Sequence, residues 1–248
     1  MKTSHFWIIA LALVLSFGIN AFLIGRALQR FKMDDRSVNV KGLSEREVKA
    51  DLVVWNIQTK VVYDNLIEGS TRIKEAKDKV VDFLIQNQVK TDDIITEGIS
   101  VIDKRANQYD NNQQMNSPRY LITQIIQVRS NNVDLVQKVS RMTGELLQAG
   151  VVISNNEYGN PIQFYFTKLN DIKPEMISEA TQKAREAALK FATENDASLD
   201  CLKKANQGLF TIVDRTASLS SGEGGYASST VDLYKNVRVV ISAEYSIK

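Results

Sequence analysis

Apolar positions follow different rules in different parts of this chain. From Phe6 to Gly25 they run on without a formal charge; about 20 residues at about 1.5 Å rise reach about 30 Å, one bilayer core. Farther on they alternate with polar residues at period two, the pattern of a half-buried strand. Val53, Trp55, Ile57, Thr59, Val61 and Tyr63 share one such face, and Asn56, Gln58 and Lys60 share the other. The same alternation returns in Tyr120, Ile122, Gln124, Ile126 and Val128, and again in Val237, Val239, Ile241, Ala243, Tyr245 and Ile247. Between these strands the spacing lengthens to three and four. Ile73, Ala76, Val80, Phe83 and Leu84 predict an amphipathic helix from Asn65 to about Asn87. Val133, Val136, Val139, Met142, Leu146 and Leu147 predict a second, capped by Asn131 or Asn132 and stopped by Gly150. A third follows Asp171, with Pro174 in its first turn. Its stripe of Ile177, Ala180, Ala184, Ala187, Ala188, Phe191 and Ala192 is small enough to lie close to a sheet.

Shorter strands are expected at Val38–Gly42, at Ile94–Lys104 as the hairpin partner of Tyr120–Val128, at Val151–Ser154 paired with Ile162–Leu169, and at Leu209–Arg215. A short helix carrying Cys201 is expected at Asp196–Lys204. The order reads ββαββαββαββ. It predicts an α+β fold of repeated ββα units, helices packed on one face of a mixed or antiparallel sheet, behind an N-terminal transmembrane helix. Two polar loops interrupt it, Arg105 to Ser117 and Ala217 to Thr230. The domain reading is an anchor and juxtamembrane linker over residues 1–33 and one folded domain over residues 38–248.

The apolar run suits an uncleaved anchor better than a cleaved signal, because a small-x-small cleavage site is lacking: Ile19-Asn20-Ala21 opens on a branched residue and Gly25-Arg26-Ala27 carries a charge. Asn20 reads as a tolerated polar residue or a helix–helix contact. Orientation stays open at this point. Lys2 precedes the span, whereas Arg26, Arg30 and Lys32 follow it and would hold the large C-terminal part in the cytoplasm; the short N-terminal tail is that of a signal anchor, which sends it outward.

Composition narrows the function classes. Lys and Arg number 31 against 29 Asp and Glu, a net charge of +2, and the interspersed signs leave no basic stripe for nucleic acid. Cys201 is the one cysteine, which excludes an intrachain disulfide and a multi-cysteine metal site; it reads as a half-buried small apolar residue. His5, the one histidine, precedes the span, so the domain holds neither a Ser-His-Asp nor a Cys-His arrangement. Gly222-Glu223-Gly224-Gly225 lacks the Lys-Ser/Thr ending of a phosphate loop. Asp34-Asp35 and Asp92-Asp93 are sequence neighbours suited to turns and caps rather than to acid–base work. No residue is assigned a catalytic, cofactor-binding or metal-binding role, and no cofactor is expected. The alternating strands and the two polar loops favour self-assembly or partner capture. Phe164 and Phe166 are expected in the core, and Tyr165, facing away, at a subunit interface.

The stretch Val40 to Trp55, with Gly42, Glu47 and Asp51 at their spacing, resembles the opening of SIMPL-domain proteins; Ala50 stands where proline is usual. The alanine-spaced third helix and the closing alternating strand resemble the end of that family, although Asp196-Ala-Ser-Leu-Asp-Cys replaces the glycines that follow its helix. The resemblance, over Val38 to Lys248, implies a SIMPL-like domain in the periplasm, attached to the inner (cytoplasmic) membrane by the single span Phe6–Gly25. It implies a non-enzymatic, homo-oligomeric envelope scaffold linked to stress defence. The alternative is an accessory subunit that binds another envelope protein or a small ligand. No nucleic-acid partner is expected.

Overall fold

A computed structural model of the chain describes residues 16, 18–22, 24–26, 36–106, 118–154, 162–216 and 230–248. The order of its elements is β1 (Ser37–Lys49), β2 (Leu52–Tyr63), α1 (Leu66–Gln86), β3 (Ile94–Asp103), β4 (Tyr120–Ser130), α2 (Val133–Ser140), α3 (Gly144–Gln148), β5 (Ile153–Ser154), β6 (Ile162–Tyr165), α4 (Leu169–Glu194), β7 (Leu199–Gln207), β8 (Thr211–Asp214) and β9 (Tyr234–Ile247). One sheet runs β1-β9-β7, with β8 also pairing β9; the other runs β3-β4-β2-β5, with β6 also pairing β2. The chain divides into two compact units, Met1–Glu45 with Ile172–Phe210 and Arg238–Lys248, and Arg46–Asp171 with Thr211–Val237.

In the second unit β2 is the organising strand. It runs antiparallel to β4 from Val53↔Ser130 to Tyr63↔Tyr120. On its other edge it holds β6 at residues 52–55 and β5 at residues 58–59. Its alternation buries Val53, Trp55, Ile57 and Thr59, and β4 adds Ile122, Ile126 and Val128. The helices α1 and α2 lie against β2 and β4 and close the core with Val80, Phe83, Leu84, Val133, Val136 and Val139. In the first unit α4 buries Met176, Ala180, Ala184, Ala188 and Ala192, an every-fourth-residue stripe. Its alanines pack on Val40, Ala243 and Tyr245 of β1 and β9. Gly42 makes that approach possible: a Cβ there would lie 1.9 Å from the Ala180 carbonyl oxygen and 2.9 Å from Ala184 Cβ.

The helix boundaries have local causes. Asn65 caps α1, its side chain accepting from Ile67 N, and Asn132 caps α2 by accepting from Leu135 N. Three helices end in paired 6→1 and 5→2 bonds: Val89 N to Leu84 O and Gln88 N to Ile85 O; Val151 N to Leu146 O and Gly150 N to Leu147 O; Ala197 N to Ala192 O and Asp196 N to Thr193 O. The left-handed residue of each is Gln88 (φ 66°), Gly150 (φ 77°) and Asp196 (φ 52°). Asp196 thereby takes the turn that a glycine usually makes.

Several expectations are corrected. The α+β class and the ββα order hold, but the transmembrane helix over Phe6–Gly25 does not: among the described residues no helix is long and apolar enough to cross a membrane. Of that segment Ser16, residues 18–22 and 24–25 are described and helical; the rest lies outside the described residues. Asn20 Nδ2 donates to the Ser16 carbonyl of its own helix at 2.9 Å. The expected single sheet is two. β1 does not end at Gly42 but continues to Lys49, since the glycine serves the α4 contact rather than a turn. The second predicted helix is divided at residues 141–143, beside the weak helix formers Thr143 and Gly144. It leaves Leu147 exposed. β5 and β6 pair with β2 rather than with each other. Asp196–Lys204 is not a helix, because Leu199 onward pairs with β9 as strand β7 and leaves Cys201 exposed. Most of the two polar loops, Asp34-Asp35 and the glycine run at 222–225 lie outside the described residues.

Substituting Gly42 by valine drives a branched side chain into the α4 backbone and is expected to lower stability by about 3 kcal/mol. An unchanged urea midpoint for Gly42→Val would show that β1 and α4 do not approach this closely.

Candidate functional site

The best-built polar geometry lies where the two polar loops leave the fold, and in both places a carboxylate organises it. At the end of β8, Asp214 is 1 % exposed, and Lys235, near the start of β9, is 2 % exposed. Lys235 Nζ donates to Asp214 Oδ1 in direct contact. The second oxygen, Oδ2, accepts from the backbone N–H groups of Val231 at 2.9 Å and Asp232 at 3.1 Å. Asp232 answers across the same gap, its Oδ2 accepting from Thr216 N at 3.0 Å and from Thr216 Oγ1 at 2.5 Å. Arg215 stacks 5.3 Å over the Tyr234 ring and reaches Glu47 at 3.7 Å. Phe164 N donates to Thr230 O at 2.7 Å and Ala50 N to Leu233 O at 2.9 Å. Both strands bounding the 217–229 segment are thus tied to β8, β6 and the β1–β2 turn. Taking away one member of the buried pair would strand the other charge without compensation, a loss of about 3–5 kcal/mol.

The root of the β3–β4 hairpin is built around a half-buried ion pair. Arg119 grips Asp103 through Nε at 3.1 and 3.0 Å and through Nη2 at 2.7 Å, the fork geometry that suits a carboxylate. Arg105 N donates to Asp103 Oδ1 at 3.0 Å, and Arg119 N donates to Asp64 Oδ1 at 3.1 Å. The Arg119 guanidinium lies 5.0 Å over the Tyr120 ring. Its hydrogen bond holds the Asp103 carboxyl below the usual carboxylate range, helped by the backbone N–H of Arg105 and opposed by desolvation; Asp103 in turn raises Arg119.

The two roots sit at opposite ends of β2. Tyr63 pairs with Tyr120 at one end, and Leu52 pairs with Tyr165 at the other, beside the Phe164–Thr230 bond. At about 3.3 Å per residue the strand separates them by about 35 Å. No small ligand touches both.

The residues singled out in the opening stretch have distinct tasks. Glu47 faces Arg215, and Asp51 ties down the chain after β6, accepting from Thr167 N at 2.6 Å and Thr167 Oγ1 at 2.8 Å. Ala50 stands where proline is usual, and it donates a backbone bond to Leu233 that proline lacks the N–H to make. Asp92-Asp93 falls in a 3-10 turn, Thr91–Asp93. Phe164 is buried and Tyr165 half-buried, its hydroxyl donating to Gln163 Oε1 at 2.5 Å. Cys201 Sγ lies 3.1 Å from Ser246 Oγ. Its neighbour Asp200 is held below the usual carboxylate range by Lys248. Among the described residues no group of three or more His, Cys, Asp or Glu is placed to hold a metal ion. A cleft of about 350 Å³ opens on the β5–β6 edge of β2, lined by Trp55, Asn56, Ser140, Thr143, Leu147, Ile153 and Ile162.

Sequence reasoning missed the Lys235–Asp214 pair although its signal was present. Lys235 lies two residues before Val237 and continues the period-two face inward, and a lysine on a buried face needs a carboxylate partner.

An α+β chain of two sheets, built in ββα order and opening on Gly42, Glu47 and Asp51, defines the class of domain. The chain belongs to the SIMPL family, described as protein of unknown function (DUF541), which matches residues 38–241, from early in β1 to well into β9. No curated protein matches the chain.

The carbon-13 shift of the Asp103 carboxyl is expected to titrate below about 3.9, the value of an unpaired aspartate. Because that folded value is depressed, the contribution of the clamp to stability is complete above the unfolded value and is lost as pH falls through the folded one. Arg119→Gln should move the midpoint upward; the same midpoint in both proteins would remove the clamp.

Proposed function

We propose that the chain is a non-enzymatic, homo-oligomeric structural protein of the cell envelope, with its SIMPL domain outside the cytoplasmic membrane and a role in stress defence. The observation that supports assembly is β3, an edge strand of its sheet. Ile95, Ile99, Val101 and Ile102 are all exposed on it, Ile99 by 48 % and Val101 by 45 %. Natural sheet edges are blunted by charges and irregularities. β7 carries Lys203, Lys204 and two register shifts, and β1 carries exposed Lys41, Glu45, Glu47 and Lys49. β3 has one register shift, between Thr96 and Ile99, but from Gly98 to Ile102 it has no charge at all. Such a strand is suited to pairing with another chain. Loop roots about 35 Å apart on one strand suit a scaffold that meets neighbours at both ends better than a single-ligand site. Envelope placement and stress defence rest on the resemblance of Val38 to Lys248 to SIMPL-domain proteins, and the non-enzymatic reading on the lack of a catalytic constellation in the sequence.

The cleft beside Trp55 favours a second reading, an accessory subunit that takes a small ligand or a partner side chain there. Light scattering of the purified full chain separates the two. A defined multimer is expected, which the double change Ile99→Lys and Val101→Lys should reduce to monomer while leaving the circular dichroism spectrum unaltered. A monomeric wild-type chain would overturn the assembly reading.

A further inference from the structure

We propose that Lys235 and Asp214 are joined by an intramolecular isopeptide bond, a covalent staple between β9 and β8 at the root of the loop beginning at Ala217. The inference does not rest on the assembly proposed above. It starts from a juxtaposition that an ordinary surface ion pair lacks. The amine and the carboxyl are in contact, both side chains are excluded from water, and apolar neighbours on the same strands, Val213 and Val237, are themselves buried. The carboxyl oxygen that does not face the lysine is held by two backbone donors, Val231 N at 2.9 Å and Asp232 N at 3.1 Å.

These parts match the needs of amide condensation. The proton of the Lys235 ammonium passes to Asp214 Oδ1, with which it is in contact, leaving a neutral amine and a neutral acid as the reacting forms. The Nζ lone pair attacks Cγ, and the negative charge that develops on Oδ2 falls on the Val231 and Asp232 N–H groups, an arrangement that stabilises a tetrahedral oxyanion. The Nζ–Cγ bond stays and the Cγ–Oδ1 bond breaks. Oδ1 leaves as water with the proton it already holds and one from Nζ, and the product is a neutral secondary amide. No oxidant, reductant or further reactant is needed. In bulk water the reverse hydrolysis would prevail, but here the reactants are held in contact and water is excluded, conditions that raise effective concentration by orders of magnitude. The product also removes two buried charges, whose desolvation is the main cost of such a pair.

The test is the denatured mass of the purified full chain. It is expected to lie about 18 Da, one water, below that of the uncross-linked chain, and the deficit should vanish in Lys235→Arg after allowance for the substitution. A digest should yield a branched peptide containing both Lys235 and Asp214. Protease nicking between Ala217 and Thr230 should leave the two fragments joined on a reducing, denaturing gel. A full, undiminished mass together with a linear Lys235 peptide would overturn the proposal, and because this is read on the wild-type chain, the answer does not depend on whether the variant folds.

Discussion

Everything in the larger unit depends on the period-two face of β2. Four consecutive inward positions, Val53, Trp55, Ile57 and Thr59, are buried. A slip of one residue would turn all of them outward. The strand is therefore held in one register against β4 along its length, and the helices α1 and α2 have a single apolar surface to cover. Thr59 is the polar member of that face, and it donates to the Gln124 carbonyl at 3.2 Å, so its hydroxyl does not cost the core an unsatisfied donor. With β2 set, both polar loops acquire fixed roots at its two ends.

Those roots show how one chemical device works in two environments. Asp103 with Arg119 is half-buried, and its value lies in geometry, a forked grip that closes the hairpin where the chain leaves the sheet. Asp214 with Lys235 is dry. Desolvating both groups is expensive, and the expense is met by contact with each other and by two backbone donors on the carboxylate. Around it, Arg215, Thr216 and Asp232 extend the tie, so the β8–β9 connection is the more rigidly rooted of the two. The opening stretch of the family feeds the same framework: Glu47 meets Arg215, Ala50 bonds Leu233, and Asp51 secures Thr167. These residues position strands. The polar groups of the cleft, Asn56, Ser140 and Thr143, come from elsewhere.

The smaller unit rests on close approach. Alanine every fourth residue gives α4 a flat, narrow stripe, and Gly42 gives β1 a place without a side chain to receive it. Such a contact buries little area per residue and gains instead from tight dispersion packing. Ser44, also fully buried, donates to Glu179 Oε2 at 2.8 Å and fixes the strand against the same helix.

Features that depend on local periodicity and local capping can be read along the chain. The strands β2, β4 and β9, the stripe of α1 from Ile73 to Leu84, its start near Asn65, a cap at Asn131 or Asn132 for α2, and the stop at Gly150 were all legible, because each is written in residues within a few positions of one another. Features that depend on distant partners emerge only once the chain has folded. Cys201 belongs to a strand because β9 offers an edge, though its local polarity suits a helix. Val151–Ser154 and Ile162 onward look like a hairpin in isolation, yet both find β2. Gly42 reads as a strand end until α4, far along the chain, is laid against it. The candidate site was half legible for the same reason. The period-two face was read only from Val237; Lys235 extends it inward by one more step, and only the fold could bring Asp214, 21 residues earlier, to meet it.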